Sequence, residues 1–380
     1  MKIGLAGNYG HLNLGDEALL LGAIECVTRD AGISSEDIVV LSDSKDDTDV
    51  RLTDFGCQVR QLKRPYYRRA VRLPLVVADI FRSLEGLDWL IFGGGGLLND
   101  SNRTAMPMYT VIRVLAWMRG IRVAWWSIGI GPLQNGVRRL LARWLLSSSD
   151  FVSVRDEYSG GIVADLLGKN VIVTPDLAHA IEYSPSDVAV ASPTIAVSVI
   201  PYNKVGVWFE SKEGRYLNYC EKMANAIRSL LSARPDLDIR LIPVSLRQDE
   251  AAIMDIMRVG DFGSECRIQV CRPDSIHSLL AEINQATLVI ATRFHSVVMA
   301  TLARVPVVTI AYQPKVSSYT RELDANYPCF DIEEFSSEDI VDASLKMIDN
   351  AKMPKEQLRR INAERRENLS AAIACWRDLL

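Results

Sequence analysis

Short apolar runs alternate along the chain with longer stretches whose apolar residues return every three or four positions, the spacings of strands and of amphipathic helices. In the first half, Lys2–Ala6, Asp37–Leu41, Asp88–Phe92, Arg122–Ile128, Phe151–Val154 and Val171–Val173 read as strands. Helices are expected between them, for example over Asp16–Ala31 and Met106–Arg119. A second series runs through Thr194–Ile200, Asp238–Pro243, Cys266–Val270, Thr287–Ala291 and Val307–Ile310, with helices over Tyr216–Ala233 and Ser275–Gln285. Strands that alternate with helices in this way build parallel sheets from βαβ units. The segment Ser184–Pro193 carries proline and serine and interrupts the rhythm, so the domain junction is expected there. The reading is an α/β protein with two Rossmann-like, doubly wound domains, residues 1–185 and 194–350, and a terminal amphipathic helix within 351–380. Ligands in such folds bind beyond the carboxyl ends of the strands, and a cleft between the two domains is the expected site.

Composition narrows the function without naming it. The 380 residues are 48% hydrophobic and 24% charged, as in ordinary globular proteins, and are enough for two cores. A formal net charge of -4 argues against a dedicated nucleic-acid binder, whose footprint would be basic. The seven cysteines are scattered and contain no Cys-x-x-Cys, which suits buried thiols in a reducing compartment better than disulfides or a zinc site. Met1–Gly7 reads as a first strand and turn rather than a secretory signal, and no apolar stretch is long enough to span a bilayer. A cytoplasmic protein is expected, with peripheral membrane contact as an option. For that contact the basic stretch Arg60–Arg72, interleaved with Pro65, Tyr66 and Tyr67, is the candidate; a solvated helix face is the ordinary alternative.

Four polar clusters fall at expected strand ends. Asn13-Leu-Gly-Asp-Glu17 lies where the first strand turns into the first helix, so Asn13 and Asp16 either cap that helix or face a cleft and handle a sugar hydroxyl. His11 stands two residues before them. Gly93–Gly96 and Ile128–Pro132 follow two more strands; bare backbone at Gly94, Gly95 and Gly96 would admit an anion to the amides, and close helix packing is the alternative. Neither matches a dinucleotide fingerprint or an NTPase phosphate loop, so no nicotinamide cofactor or ATP is predicted. Arg155 with Asp156 reads first as a structural ion pair, and Asp176 as a turn cap or a group that holds the cleft.

Thr292-Arg-Phe-His295 is the sharpest of the clusters. It stands at the mouth of a helix expected to begin at Ser296. Arg293 can fork onto a carboxylate or phosphate, the first-turn N–H groups favour an anion, and His295 can move a proton near neutral pH. Tyr312 and Lys315 follow at the exit of the next strand, where Lys315 either neutralises a phosphate or lies on the surface.

The ordered set formed by Asn13–Glu17, Gly93–Asp100, Gly129–Pro132, Val154–Asp156, Pro175–Ala178, Arg293-Phe-His295, Val305–Val307 and Tyr312–Lys315 resembles the polysaccharide pyruvyl transferase family, over roughly Gly4 to Lys315. The resemblance implies a two-Rossmann fold of the GT-B class, with the acceptor on the first domain and the donor on the second. The implied donor is phosphoenolpyruvate, and the implied product is a pyruvate ketal on two hydroxyls of a saccharide or lipid-linked saccharide. It places Arg293, Phe294, His295 and Lys315 at the donor, His295 and Asp16 in the chemistry, and Asn13, Gly94, Gly95, Gly96 and Asp176 at the acceptor, with neither a cofactor nor a metal. One departure stands out. Many members carry a Ser-x-Arg after the first strand of the second domain, whereas this chain has Ser198-Val-Ile-Pro201, so Lys204 or Lys315 would have to supply the charge. A GT-B glycosyltransferase using a nucleotide sugar, and a non-catalytic glycan-binding or assembly protein, remain the alternatives.

Overall fold

A computed structural model of the chain describes residues 1–62, 73–100, 105–185, 192–202, 213–324, 327–349 and 354–380. Backbone contacts divide it into two units, Met1–Ile181 with Arg365–Leu380, and Glu182–Glu364. Each is built around a parallel sheet.

In the first unit the strands are β1 (Ile3–Ala6), β2 (Ile38–Ser42), β3 (Gln58–Gln61), β4 (Trp89–Gly93), β5 (Gly96–Leu98), β6 (Arg122–Ile130), β7 (Phe151–Val154) and β8 (Ile172–Val173). They lie in the order β3-β2-β1-β4-β6-β7-β8, every pair parallel, with β5 pairing β6. Apolar cores cover both faces. On one side Phe92, Trp125 and Tyr109 gather, the rings of Phe92 and Trp125 stacked at 4.2 Å. On the other, the end of the long terminal helix Pro354–Arg377 inserts Trp376 edge-on against Trp89 and Trp126, at 5.3 and 4.8 Å. Leu369 and Ile373, on the same helix, are buried with it. The Arg- and Glu-rich composition of that helix conceals an apolar stripe at helical spacing.

The second unit holds β9 (Thr194–Ser198), β10 (Asp238–Leu241), β11 (Ile268–Val270), β12 (Leu288–Ala291), β13 (Val307–Ala311) and β14 (Cys329–Asp331), in the order β11-β10-β9-β12-β13-β14. Counted within the unit this is 3-2-1-4-5-6, the doubly wound Rossmann order, and the first unit follows the same order along its main path. The central strands read as apolar runs because helices bury both of their faces. In this topology the connections leave in opposite directions at the point where strand order reverses, and the crevice outside the carboxyl ends there is the expected ligand position. That point lies between β1 and β4 in the first unit, and between β9 and β12 in the second.

Candidate functional site

The switch point of the second unit carries the arginine and histidine. β12 ends at Ala291, and the helix Phe294–Leu302 starts two residues sooner than the sequence suggested, with Arg293 as its N-cap. Two hydrogen bonds fix the crossing from β12 to this helix. Tyr219 and Thr292 join their hydroxyls at 2.9 Å, and Ser296 Oγ donates to Ser198 Oγ at 2.6 Å, tying the helix to the end of β9. Ser198, at the position where the family pattern begins, therefore serves the backbone of the switch point. Lys204 lies outside the described residues.

Arg293 does not extend unsupported into solvent. Its Nε donates to both oxygens of Asp249, at 2.9 and 3.0 Å, and Nη2 reaches Gln248 Oε1 at 3.2 Å. Asp249 is wholly buried, and its Oδ2 also accepts the backbone N–H groups of Val244 and Ser245, at 3.1 and 2.8 Å. One carboxylate thus pins both the turn after β10 and the guanidinium. The sequence suggests Arg293 as a fork for a carboxylate or phosphate; in the structure the edge formed by Nε and Nη2 is turned onto Asp249. Sequence reasoning missed Asp249; its local context, Ser245 followed by an acid in a first helical turn, signals nothing more than capping.

The other donor candidates gather on Phe294. Phe294 is buried, with the His295 ring edge-on at 5.3 Å and the Tyr319 ring at the same distance. Lys315, near the start of the helix Pro314–Leu323 after β13, holds its Nζ 5.8 Å from the centres of both Phe294 and Tyr312. Arg293, His295 and Lys315 therefore bring positive or protonatable groups to the start of one helix, whose N-terminal dipole adds to them.

The first unit's switch point is different in chemistry. Asn13 caps the helix Leu14–Glu25, its side-chain oxygen accepting Gly15 N–H at 3.1 Å. Its amide turns the other way and donates to Asp16 Oδ2 at 2.7 Å, as does the amide of Asn8. Capping and carboxylate positioning are thus one arrangement. His11 pairs with Asp43 at the end of β2. Glu17, which the sequence offered only as a capping acid, is buried and accepts Gly10 N–H at 3.2 Å; burial pushes its carboxyl up to about 7.

Gly94 is packing hardware, contrary to the amide cradle suggested for it. Gly94 and Gly95 both have positive φ, and a Cβ on Gly94 would stand 2.8 Å from Leu19 Cδ2. Gly94 N–H is spent on Trp126 carbonyl at 2.9 Å, and Gly95 carbonyl accepts Gly129 N–H at 2.7 Å. Gly96 alone of the run is exposed. Asp176 also differs from its acceptor assignment. It is 2% exposed, accepts Ala178 N–H at 3.1 Å as cap of the turn Leu177–Ala180, and lies 3.6 Å from Arg155. Burial raises its carboxyl above the usual range, with Arg155 opposing the shift. Arg155 in turn donates to Asp156, which caps the helix Glu157–Leu167, so this is the structural pair the sequence favoured.

A family model described as polysaccharide pyruvyl transferase matches residues 13–314, a span that runs from the Asn13 cap to the helix carrying Lys315. The chain belongs to the polysaccharide pyruvyl transferase family. Membership indicates a transferase. A search of curated proteins by sequence gives no match. Among solved structures, the chain is similar to HepE of Anabaena in complex with UDP and glucose, at 14% identity and a TM-score of 0.66, with all of both chains covered. It is similar too to the UDP-GlcNAc 2-epimerase of Neisseria meningitidis bound to UDP-GlcNAc, at 13% identity and 0.64, covering 98% of each. The UDP-GlcNAc 2-epimerase of Methanocaldococcus jannaschii follows at 12% and 0.60, covering 96% of this chain and all of its own. Likeness at such identities concerns the fold, and it agrees with two Rossmann-like domains of the GT-B class. Among the described residues no helix is long and apolar enough to cross a membrane.

Proposed function

We propose that this family member transfers pyruvate from phosphoenolpyruvate to two hydroxyls of a cell-surface saccharide or its lipid-linked precursor, forming a cyclic ketal and releasing phosphate. The observation that carries the reading is that Arg293 and His295 stand at the start of one helix at the switch point of the second unit, with Lys315 and His295 both against the Phe294 between them. A donor with a carboxylate and a phosphate needs cationic charge at both ends, and a proton must reach its methylene carbon.

In the proposed reaction His295 delivers a proton to that carbon, and C2 gains carbocation character. One acceptor hydroxyl bonds to C2 and loses its proton. The C2–O bond to phosphate then breaks, with the phosphate taking the electron pair, and the second hydroxyl closes the ring. Two C–O bonds form and one breaks; one of the two hydroxyl protons balances the new methyl group and the other leaves with phosphate. Arg293, held in one orientation by Asp249, and Lys315, on its aromatic seat, stabilise the donor's charge. In the first unit Asp16, positioned by Asn8 and Asn13, is the proposed partner of acceptor hydroxyls and a second catalytic group.

Calorimetric titration of phosphoenolpyruvate into wild type and Arg293→Ala, beside a panel of nucleotide sugars, tests the donor. Binding is expected to weaken by roughly 100-fold in the variant, as for a lost charge-assisted contact. Tight binding of a nucleotide sugar instead would favour the glycosyltransferase reading, for which the UDP held by HepE is the specific support.

A further inference from the structure

Between Asp100 and Asp150 the chain holds seven arginines and neither an acid nor a lysine, in a protein whose formal net charge is -4. Two helices of the first unit fall in that stretch, Ala105–Met118 and Gly136–Ser147. They pack beside one another over the same face of the sheet, burying Met106, Ile112, Leu115, Leu145 and Leu146 in one core.

The outward face of such a layer is ordinarily polar. Here Val114, Trp117 and Met118 stand exposed on the first helix, and Val137, Leu140 and Trp144 on the second. Trp117 is 70% exposed and Leu140 68%, values that put about two thirds of each residue's surface in water. Positions 137, 140 and 144 follow helical spacing, so they form one stripe. Scattered exposed apolar residues are normal, but six on adjoining helices mark an interaction surface.

Charge identifies the occupant. Arg113, Arg122 and Arg138 are held by Ser148 carbonyl, Asp150 and Asp100 respectively. Arg139 and Arg143, on the same helix as the Leu140 stripe, make no side-chain hydrogen bond or ion pair among the described residues. Tryptophan beside arginine on an apolar helix face is the chemistry of the membrane interface, where the indole sits at headgroup level and the guanidinium meets phosphate. A second copy of the chain fits less well. An isologous pairing would bring this basic face against itself, with no acid on either helix to answer the arginines.

We infer that this face docks on an anionic lipid surface, with Trp117, Leu140 and Trp144 entering the headgroup region and Arg139 and Arg143 contacting lipid phosphates. The contact is independent of the donor reading. It is also separate from the stretch Arg60–Arg72, of which residues 63–72 lie outside the described residues and Arg60 is engaged by the carbonyls of Ser83 and Glu85.

Flotation of the full-length protein with vesicles of phosphatidylcholine, with and without phosphatidylglycerol, tests the inference. Wild type is expected to float with the anionic vesicles only, and less so as salt is added. Leu140→Ser with Trp144→Ser, and separately Arg139→Glu with Arg143→Glu, should each weaken association by roughly tenfold or more. The charge pair lies at the surface, so it remains informative if the apolar pair misfolds. Absence of wild-type binding would overturn the inference, as would variants that bind like wild type, since the contact would then lie elsewhere. A wild-type dimer in light scattering that the Leu140→Ser, Trp144→Ser variant dissolves would overturn it in favour of a second copy.

Discussion

Asp249 is the residue whose removal best separates positioning from charge at the proposed donor site. Replacing it by alanine deletes the acceptor of two backbone N–H groups, from Val244 and Ser245, and the partner of Arg293 Nε. Because the carboxylate is wholly buried and the arginine nearly so, the loss is that of a broken buried pair, about 3–5 kcal/mol. Urea denaturation followed by circular dichroism would measure it, and Arg293→Ala in the same background completes a double-mutant cycle. The binding consequence has a sign of its own. Deleting a negative charge beside an anion site should tighten phosphoenolpyruvate binding if charge alone mattered. If Asp249 works by fixing the guanidinium, binding should weaken by roughly tenfold, because a mobile arginine must be ordered by the ligand. Tighter binding in the variant, or a stability loss below about 1 kcal/mol, would refute the reasoning.

Two other substitutions probe the first unit. Burial raises the Glu17 carboxyl from 4.5 to about 7, so the folded state holds a proton that the unfolded chain releases, and stability falls as pH rises through that window. Glu17→Gln should therefore change little below pH about 4.5 and stabilise by up to about 3 kcal/mol well above pH 7; urea midpoints across this range check it, and a variant less stable at alkaline pH contradicts it. Gly22→Ala would set a Cβ 1.9 Å from Leu177 carbonyl oxygen, in the turn capped by Asp176. Backbone cannot step aside as a flexible side chain can, so a cost of about 3 kcal/mol is expected in thermal melts, and a wild-type melting point would argue against the close contact.

What the sequence revealed follows from burial. The apolar runs at β1, β4, β9, β12 and β13 are strands covered on both faces, so nothing polar interrupts them. β3, β5 and β14 escaped notice because they are short and partly exposed: Gln-Val-Arg-Gln of β3 and Cys-Phe-Asp of β14 sit at sheet edges, where one side lacks a neighbouring strand among the described residues. Arg293, Phe294, His295 and Lys315 were legible because each follows an obvious strand, and strand ends are where this topology gathers ligand contacts. Asp249 was not, since it lies 44 residues from Arg293 and meets it only through the pairing of β9 with β10 and β12. Gly94 misled for a related reason. Sequence cannot tell a glycine kept for a ligand from one kept for a neighbouring helix, and Leu19 supplies the helix.

The two switch points sort their chemistry by charge. In the first unit, the Asp16 carboxylate accepts from the amides of Asn8 and Asn13, while the buried Glu17, raised to about 7, accepts from Gly10; in the proposed reading such a set suits hydroxyls better than an anion. In the second, Arg293, His295 and Lys315 gather at a helix N-terminus. The Asp249 carboxylate offsets one of those charges, so the proposed preference for an anionic donor would rest on direction rather than on total charge. A guanidinium held by three hydrogen bonds to Asp249 and one to Gln248 keeps one orientation, whereas Lys315 offers a point charge on a flexible stem. A donor with a planar carboxylate at one end and a tetrahedral phosphate at the other presents that same asymmetry. In the proposed reading, the pairing of a directed arginine with an undirected lysine, more than the number of cations, would favour such a molecule over inorganic phosphate. Calorimetric titration of both ligands into wild type and Lys315→Ala checks it: equal affinity for the two would refute it.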